Sequence, residues 1–138
     1  MDNSALKRQQ IIADLMEIGQ ENIADAAMDH WDKLADEIIL IIGEAGFTSL
    51  YERSLHVCQS TFPWLMPLPA RGKERFVKLG ECLENQTPHD ACAAHGHLLT
   101  LFTEILASLI GEQLTLNILN TAWVRSASAT ASKEFDNE

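Results

Sequence analysis

Residues 31–62 read WDKLADEIILIIGEAGFTSLYERSLHVCQSTF, and the way this stretch is parsed decides the fold. Leading into it, Ala24, Ala27, Trp31, Leu34, Ile38, Ile41 and Ala45 recur at threes and fours, the spacing that gathers side chains on one stripe of an α-helix. Asp25, Asp29, Asp32 and Asp36 fall on a second stripe, which reads as the solvated side. A straight helix sets carboxylates in a row and does not wrap them round an ion, so this acidic row reads as surface and not as a cation site. Ile42-Gly43-Glu44-Ala45-Gly46-Phe47 then offers a corner, with Gly46 as the expected left-handed residue and Thr48 or Ser49 opening the next helix. That helix has Phe47, Leu50, Tyr51, Ser54, Cys58 and Thr61 on its inner stripe. Between the two, Ile38 to Ile42 is apolar nearly all round, which calls for burial on every side or for a partner.

The same helical grammar extends outward in both directions. Ser4 can cap a first helix over about 5–18, with Ile11, Ile12, Leu15 and Ile18 on one side, and Gly19-Gln20-Glu21-Asn22 weakens its end. Downstream, a helix over about 70–85 carries Phe76, Leu79, Gly80 and Leu83 inward, with Glu74 and Lys78 as a surface pair. Thr87-Pro88 is the sharpest start signal in the chain: a cap residue, proline at the first helical position, and Asp90 in the first turn. The helix it opens should reach about Ile110, with Ala91, His95, Leu98, Phe102, Ile105 and Leu109 on the core stripe. Past Gly111-Glu112 the pattern continues through Leu114, Ile118, Leu119, Ala122 and Trp123 and ends near Arg125.

Two segments depart from this grammar. Phe62-Pro63-Trp64-Leu65-Met66-Pro67-Leu68-Pro69 has too many prolines for a helix and is too apolar for an ordinary loop. It reads as a connection pressed over the core with Trp64 as its plug; the alternative is a docking loop in which Trp64, Leu65 and Met66, with Ile39, form an interaction surface. Residues 126–138 have no apolar stripe and are expected to form a disordered polar tail. The fold class that follows is all-α: a single-domain bundle of five or six helices over residues 1–125. Ile42-Gly43-Glu44 returns 68 residues later as Ile110-Gly111-Glu112, and the same shift sets Leu50 on Ile118, Tyr51 on Leu119 and Leu55 on Trp123. That register hints at two helix–corner–helix halves.

Charge narrows the partners. With a net charge of -10, the chain repels phosphate backbones and anionic membrane faces, so neither nucleic acid nor membrane is an expected partner. Three cysteines without repeated spacing argue against a disulfide framework and for a reducing compartment. The opening Met1-Asp2-Asn3-Ser4 is polar with no apolar region behind it, so a cytoplasmic location is expected.

Chemistry is thin. The only metal-like grouping is His89, Cys92, His95 and His97, yet His89 and His95 lie about 120° apart on a helical wheel, so one ion cannot be faced by all. A site there would need His56 or a carboxylate from elsewhere. Paired Glu-x-x-His motifs of ferritin-like di-iron bundles are absent, as are the hemerythrin spacings and the Lys-Gly that follows the active histidine of a phosphotransfer domain. No phosphate-cradling glycine loop, Gly-x-Ser-x-Gly, Cys-x-x-Cys or His-Glu-x-x-His occurs, so no reaction can be named and no cofactor is predicted. The reading is a non-enzymatic helical module of regulatory or signalling type acting through protein–protein contact as a homodimer. The alternative is a small-molecule, metal or haem binder centred on His95 and Cys92 with His56 and Cys58 opposite; a phosphotransfer-like domain using His97 ranks third.

Overall fold

The computed structural model describes residues 3–17, 22–65 and 75–125. Five α-helices fill them: α1 (Ser4–Glu17), α2 (Ile23–Cys58), α3 (Val77–Glu84), α4 (Pro88–Ile110) and α5 (Glu112–Leu119), the last running on into a π-helical turn, Asn120–Arg125. No strand occurs among the described residues, and the fold is a single-domain all-α bundle. Thr87 caps α4 as its sequence implies, its hydroxyl accepting from the Asp90 N–H at 3.2 Å. The Asn22 side chain accepts from the Asp25 N–H in the same way and starts α2. Residues 18–21, Met66 to Pro69, Glu74 and the tail 126–138 lie outside the described residues.

The corner sits at a different glycine from the one expected. Gly43, not Gly46, has positive φ (83°, with ψ 167°), and helix resumes at once at Glu44, so neither Thr48 nor Ser49 is a start. Gly46 is an ordinary helical residue with Ile42 side-chain atoms 3.1 Å from where a Cβ would lie. Turning at Gly43 changes the fate of the stripe. Ala24, Ala27, Trp31, Leu34 and Ile38 are buried, whereas Ile41 is 48% and Leu40 82% exposed. Thr61, assigned to the inner stripe, falls in the exposed turn after α2.

The second corner repeats the first. Gly111 has φ 96° and ψ 152°, nearly the backbone of Gly43, and again helix resumes at the next residue. Burial follows the 68-residue register through both arms of the corner. Trp31 and Leu99, Leu34 and Phe102, and Ile38 and Leu106 are buried before it; Phe47 and Thr115, Tyr51 and Leu119, and Leu55 and Trp123 after it. The two halves, α1–α2 and α3–α4–α5, therefore share one plan: a short arm helix, a long helix, a glycine corner and a return.

Each arm crosses to the opposite half. α1 packs on α4 and α5, and α3 packs chiefly on α2. Each is pinned to the glutamate that follows the opposite glycine. Arg8 of α1 donates through Nε and Nη2 to both carboxylate oxygens of Glu112 at 3.1 Å, while Arg75, just before α3, meets Glu44 at 3.0 Å. The centre is aromatic: Trp31, Phe47, Tyr51, Phe76 and Phe102 form one connected cluster with neighbouring centroids 4.9–6.0 Å apart. α4 is long and apolar enough to cross a membrane by length and composition. A bundle's central helix meets the same criterion, and the buried face of α4 is spent on α2.

Candidate functional site

Two buried histidines face each other across α2 and α4, His95 fully buried and His30 8% exposed. His30 precedes Trp31, and in a helix that neighbour shares the edge of the buried stripe. His95 sits on the α4 stripe between Ala91 and Leu98. The crossing of the two helices stacks their rings, with centroids 5.4 Å apart and planes 13° from parallel, and brings Nδ1 of His30 to 3.2 Å from Nε2 of His95. Trp123 closes the group from the π-helical turn. Its ring meets His30 edge-on at 6.3 Å, and its Nε1–H donates to the His30 carbonyl at 3.0 Å. Trp123 lies within that π turn, Asn120–Arg125.

Burial dominates the electrostatics here. It holds the His95 imidazole far below its ordinary value, at about 3, with the neighbouring His30 adding to the effect. Burial also lowers His30, opposed by the Asp29 carboxylate and reinforced by the Lys33 ammonium. Both rings are thus neutral near pH 7, and one must donate to the other. The Nδ1 of His95 has no hydrogen-bond partner among the described residues. An unpaired buried lone pair costs less than an orphaned buried N–H, so the favoured arrangement has His95 Nε2–H donating to His30 Nδ1. The group is a neutral hydrogen-bonded couple with one acceptor left over.

The residues singled out from the sequence are not gathered round it. Cys58 is fully buried in the core, where burial pushes its thiol up to about 11, so it is neither a ready nucleophile nor a ready thiolate ligand. Cys92 is half-buried on α4 and His56 is exposed on α2, and no hydrogen bond links either to His95. His89 is exposed, and the ring of His97 meets Phe62 edge-on at 5.8 Å. No cluster of three or more His, Cys, Asp or Glu side chains capable of holding a metal occurs among the described residues. What sequence reasoning missed is His30: its place beside Trp31 on the stripe was the available signal, but its partner is 65 residues away.

The surface candidates are also redistributed. Leu65 is 1% exposed and plugs the core, Trp64 is half-buried against Phe62, and Ile39 packs partly on the core. Large apolar side chains stand free instead at the corners, at Leu40, Ile41 and Leu109, the last 68% exposed. Leu109 also borders an open cleft of about 400 Å³ between α2 and α4, lined by Gly46, Leu50, Ile105 and Arg53. A second cleft of about 370 Å³ separates α1 from α5, between Lys7, Gln10, Ile11 and Gln113, Leu116, Asn120. No family model, curated protein or solved structure matches the chain.

Proposed function

We propose that the protein is a non-enzymatic helical interaction module that associates with a second copy of itself through the corner end of the bundle. The supporting observation is the pair of exposed leucines, Leu40 at 82% and Leu109 at 68%, each in the last turns before a glycine corner. Ile41 and Leu109 occupy the same place in the two halves, so each corner carries an exposed apolar side chain. Leu109 stands beside a cleft with an apolar floor and a charged rim at Arg53, the arrangement of a docking surface. The test is native mass spectrometry and light scattering on the wild type and on the Leu40→Asp/Leu109→Asp variant. A dimer at micromolar concentration that the variant weakens at least about tenfold, equivalent to about 1.4 kcal/mol, supports the reading. A monomer at all concentrations, or a dimer indifferent to both substitutions, removes it.

The unpaired Nδ1 of His95 favours a second reading, a bundle that takes a small polar ligand or a metal between α2 and α4. It predicts that zinc or haem raises the melting temperature of the wild type and not of His95→Phe. Equal response of both proteins would discard it.

A further inference from the structure

We infer that the α4–α5 surface is a receptor for an α1 helix, and that a second copy of this chain can supply it: the fold is an arm-exchanged dimer drawn into one chain, able to exchange α1 again between chains. The inference starts from the crossing of the arms. α1 belongs by chain order to the first half, yet its packing partners are α4 and α5 of the second, with no comparable packing on α2. α3 does the converse, packing chiefly on α2. In each case an arginine at or beside the arm reaches the glutamate after the opposite corner, Arg8 to Glu112 and Arg75 to Glu44. Nothing in such a contact depends on which chain the arm comes from, because the helices α1 packs on, α4 and α5, and its ionic partner Glu112 lie in the other half.

The two arms are not held alike, and the difference marks α1 as the one that exchanges. In the 68-residue register Arg8 occupies the place of Phe76, and both are buried. Phe76 anchors α3 in the aromatic centre, against Trp31, Phe47 and Tyr51. Arg8 anchors α1 with a bidentate pair to Glu112 and a long contact to the Thr103 hydroxyl at 3.5 Å. Desolvating a guanidinium offsets much of what the pair contributes, whereas burying a phenyl ring is favourable outright. The seam between α1 and α5 is also open, holding the cleft between Gln10 and Gln113. Beside its ion pair α1 fully buries one apolar side chain, Ile12, whereas the α3 arm buries Phe76, Leu79 and Leu83, so α1 releases more readily and keeps its specificity when it returns.

The experiment separates this from association through the corners by working in the Leu40→Asp/Leu109→Asp background. In that background Arg8→Glu and Glu112→Arg are made singly and in combination, one single variant is labelled with ¹⁵N, and the singles are mixed, warmed briefly to just below unfolding, cooled and weighed by native mass spectrometry. Exchange restores opposite charges at both junctions of a mixed dimer, so the heterodimer should exceed either homodimer by at least about tenfold, while the doubly reversed chain, satisfied internally, stays folded and forms no more dimer than the chain with native Arg8 and Glu112. Should the reversed pair fail to fold, labelled and unlabelled chains carrying native Arg8 and Glu112 are put through the same cycle, and dimers of mixed mass are expected. No heterodimer in the first experiment with a folded doubly reversed chain, or no mixed-mass dimer in the second, overturns the inference. Neither outcome touches the corner-surface reading, which is decided by the unmutated arms.

Discussion

Replacing Gly43 or Gly111 with alanine isolates the backbone that shapes the two corners. Both glycines sit near φ +90° with ψ of 152–167°, a region that essentially only glycine occupies. A Cβ at either position meets nothing within 4 Å, so no steric clash confuses the result. Holding an L-residue there costs about 1–3 kcal/mol. Alanine also restricts the unfolded chain, which returns about 0.4–1 kcal/mol. The net loss is about 1–2 kcal/mol at each corner, or about 3–6 °C in melting temperature for a domain of this size. Because the two corners share one conformation, the two losses should agree within about 0.5 kcal/mol. Gly96→Ala is the control. It lies mid-helix in α4, its Cβ would meet Met16 at an ordinary 3.7 Å, and it should gain about 0.5–1 kcal/mol. Urea and thermal denaturation followed by circular dichroism measure all three. A neutral or stabilising Gly43→Ala or Gly111→Ala, with Gly96→Ala stabilising as expected, would refute the corner geometry.

Three other expectations follow from the buried groups. The folded pKa of His95 is depressed to about 3 and that of His30 is lowered, so the unfolded chain takes up their protons first as pH falls. Their contribution to stability is complete above about pH 6.5 and declines toward about pH 3, at roughly 1.4 kcal/mol per pH unit for each histidine affected. Urea midpoints measured at pH 7 and pH 5 should therefore fall in the wild type and fall less in His95→Gln; equal slopes would contradict the placement of the pair. Phe76→Ala should cost about 3–5 kcal/mol, whereas Arg8→Ala should cost about 2 kcal/mol because the Glu112 side chain is 27% exposed and can turn to water. Chemical denaturation of the two variants side by side checks the order, and a larger loss at Arg8 would reverse it. Finally, iodoacetamide at pH 8 should modify Cys82 and Cys92 and spare the buried Cys58 until urea is added; intact-mass spectrometry showing three rapid additions to the native protein would place Cys58 at the surface.

Which parts of this were legible beforehand depends on how far each determinant reaches along the chain. Thr87, Pro88 and Asp90 act within one turn, and the α4 they open runs from Pro88 to Ile110, as their spacing implies. The stripe through Ala27, Trp31 and Leu34 is equally local, as is the acidic side that carries Asp29 and Asp36 to solvent. Even the two-half plan is visible, because the 68-residue register sets buried positions on buried positions. Residues whose roles depend on distant partners were not legible. Gly43 and Gly46 are alike as local turn formers; the turn falls at Gly43, and Phe47 beyond it meets Phe76 and Phe102. Ile41 and Leu109 belong to core stripes by spacing and yet face water, since each chain direction changes two residues later.

The sequence alone determined an acidic all-helical domain, the start of α4 and much of its core, since capping, periodicity and charge are read over a few residues. The tertiary structure decided that the arms cross, that Arg8 meets Glu112, and that His30 rather than Cys92 is the partner of His95. Those choices rest on which helix faces cross, and helix crossing is set by packing the whole interior at once, not by any one segment.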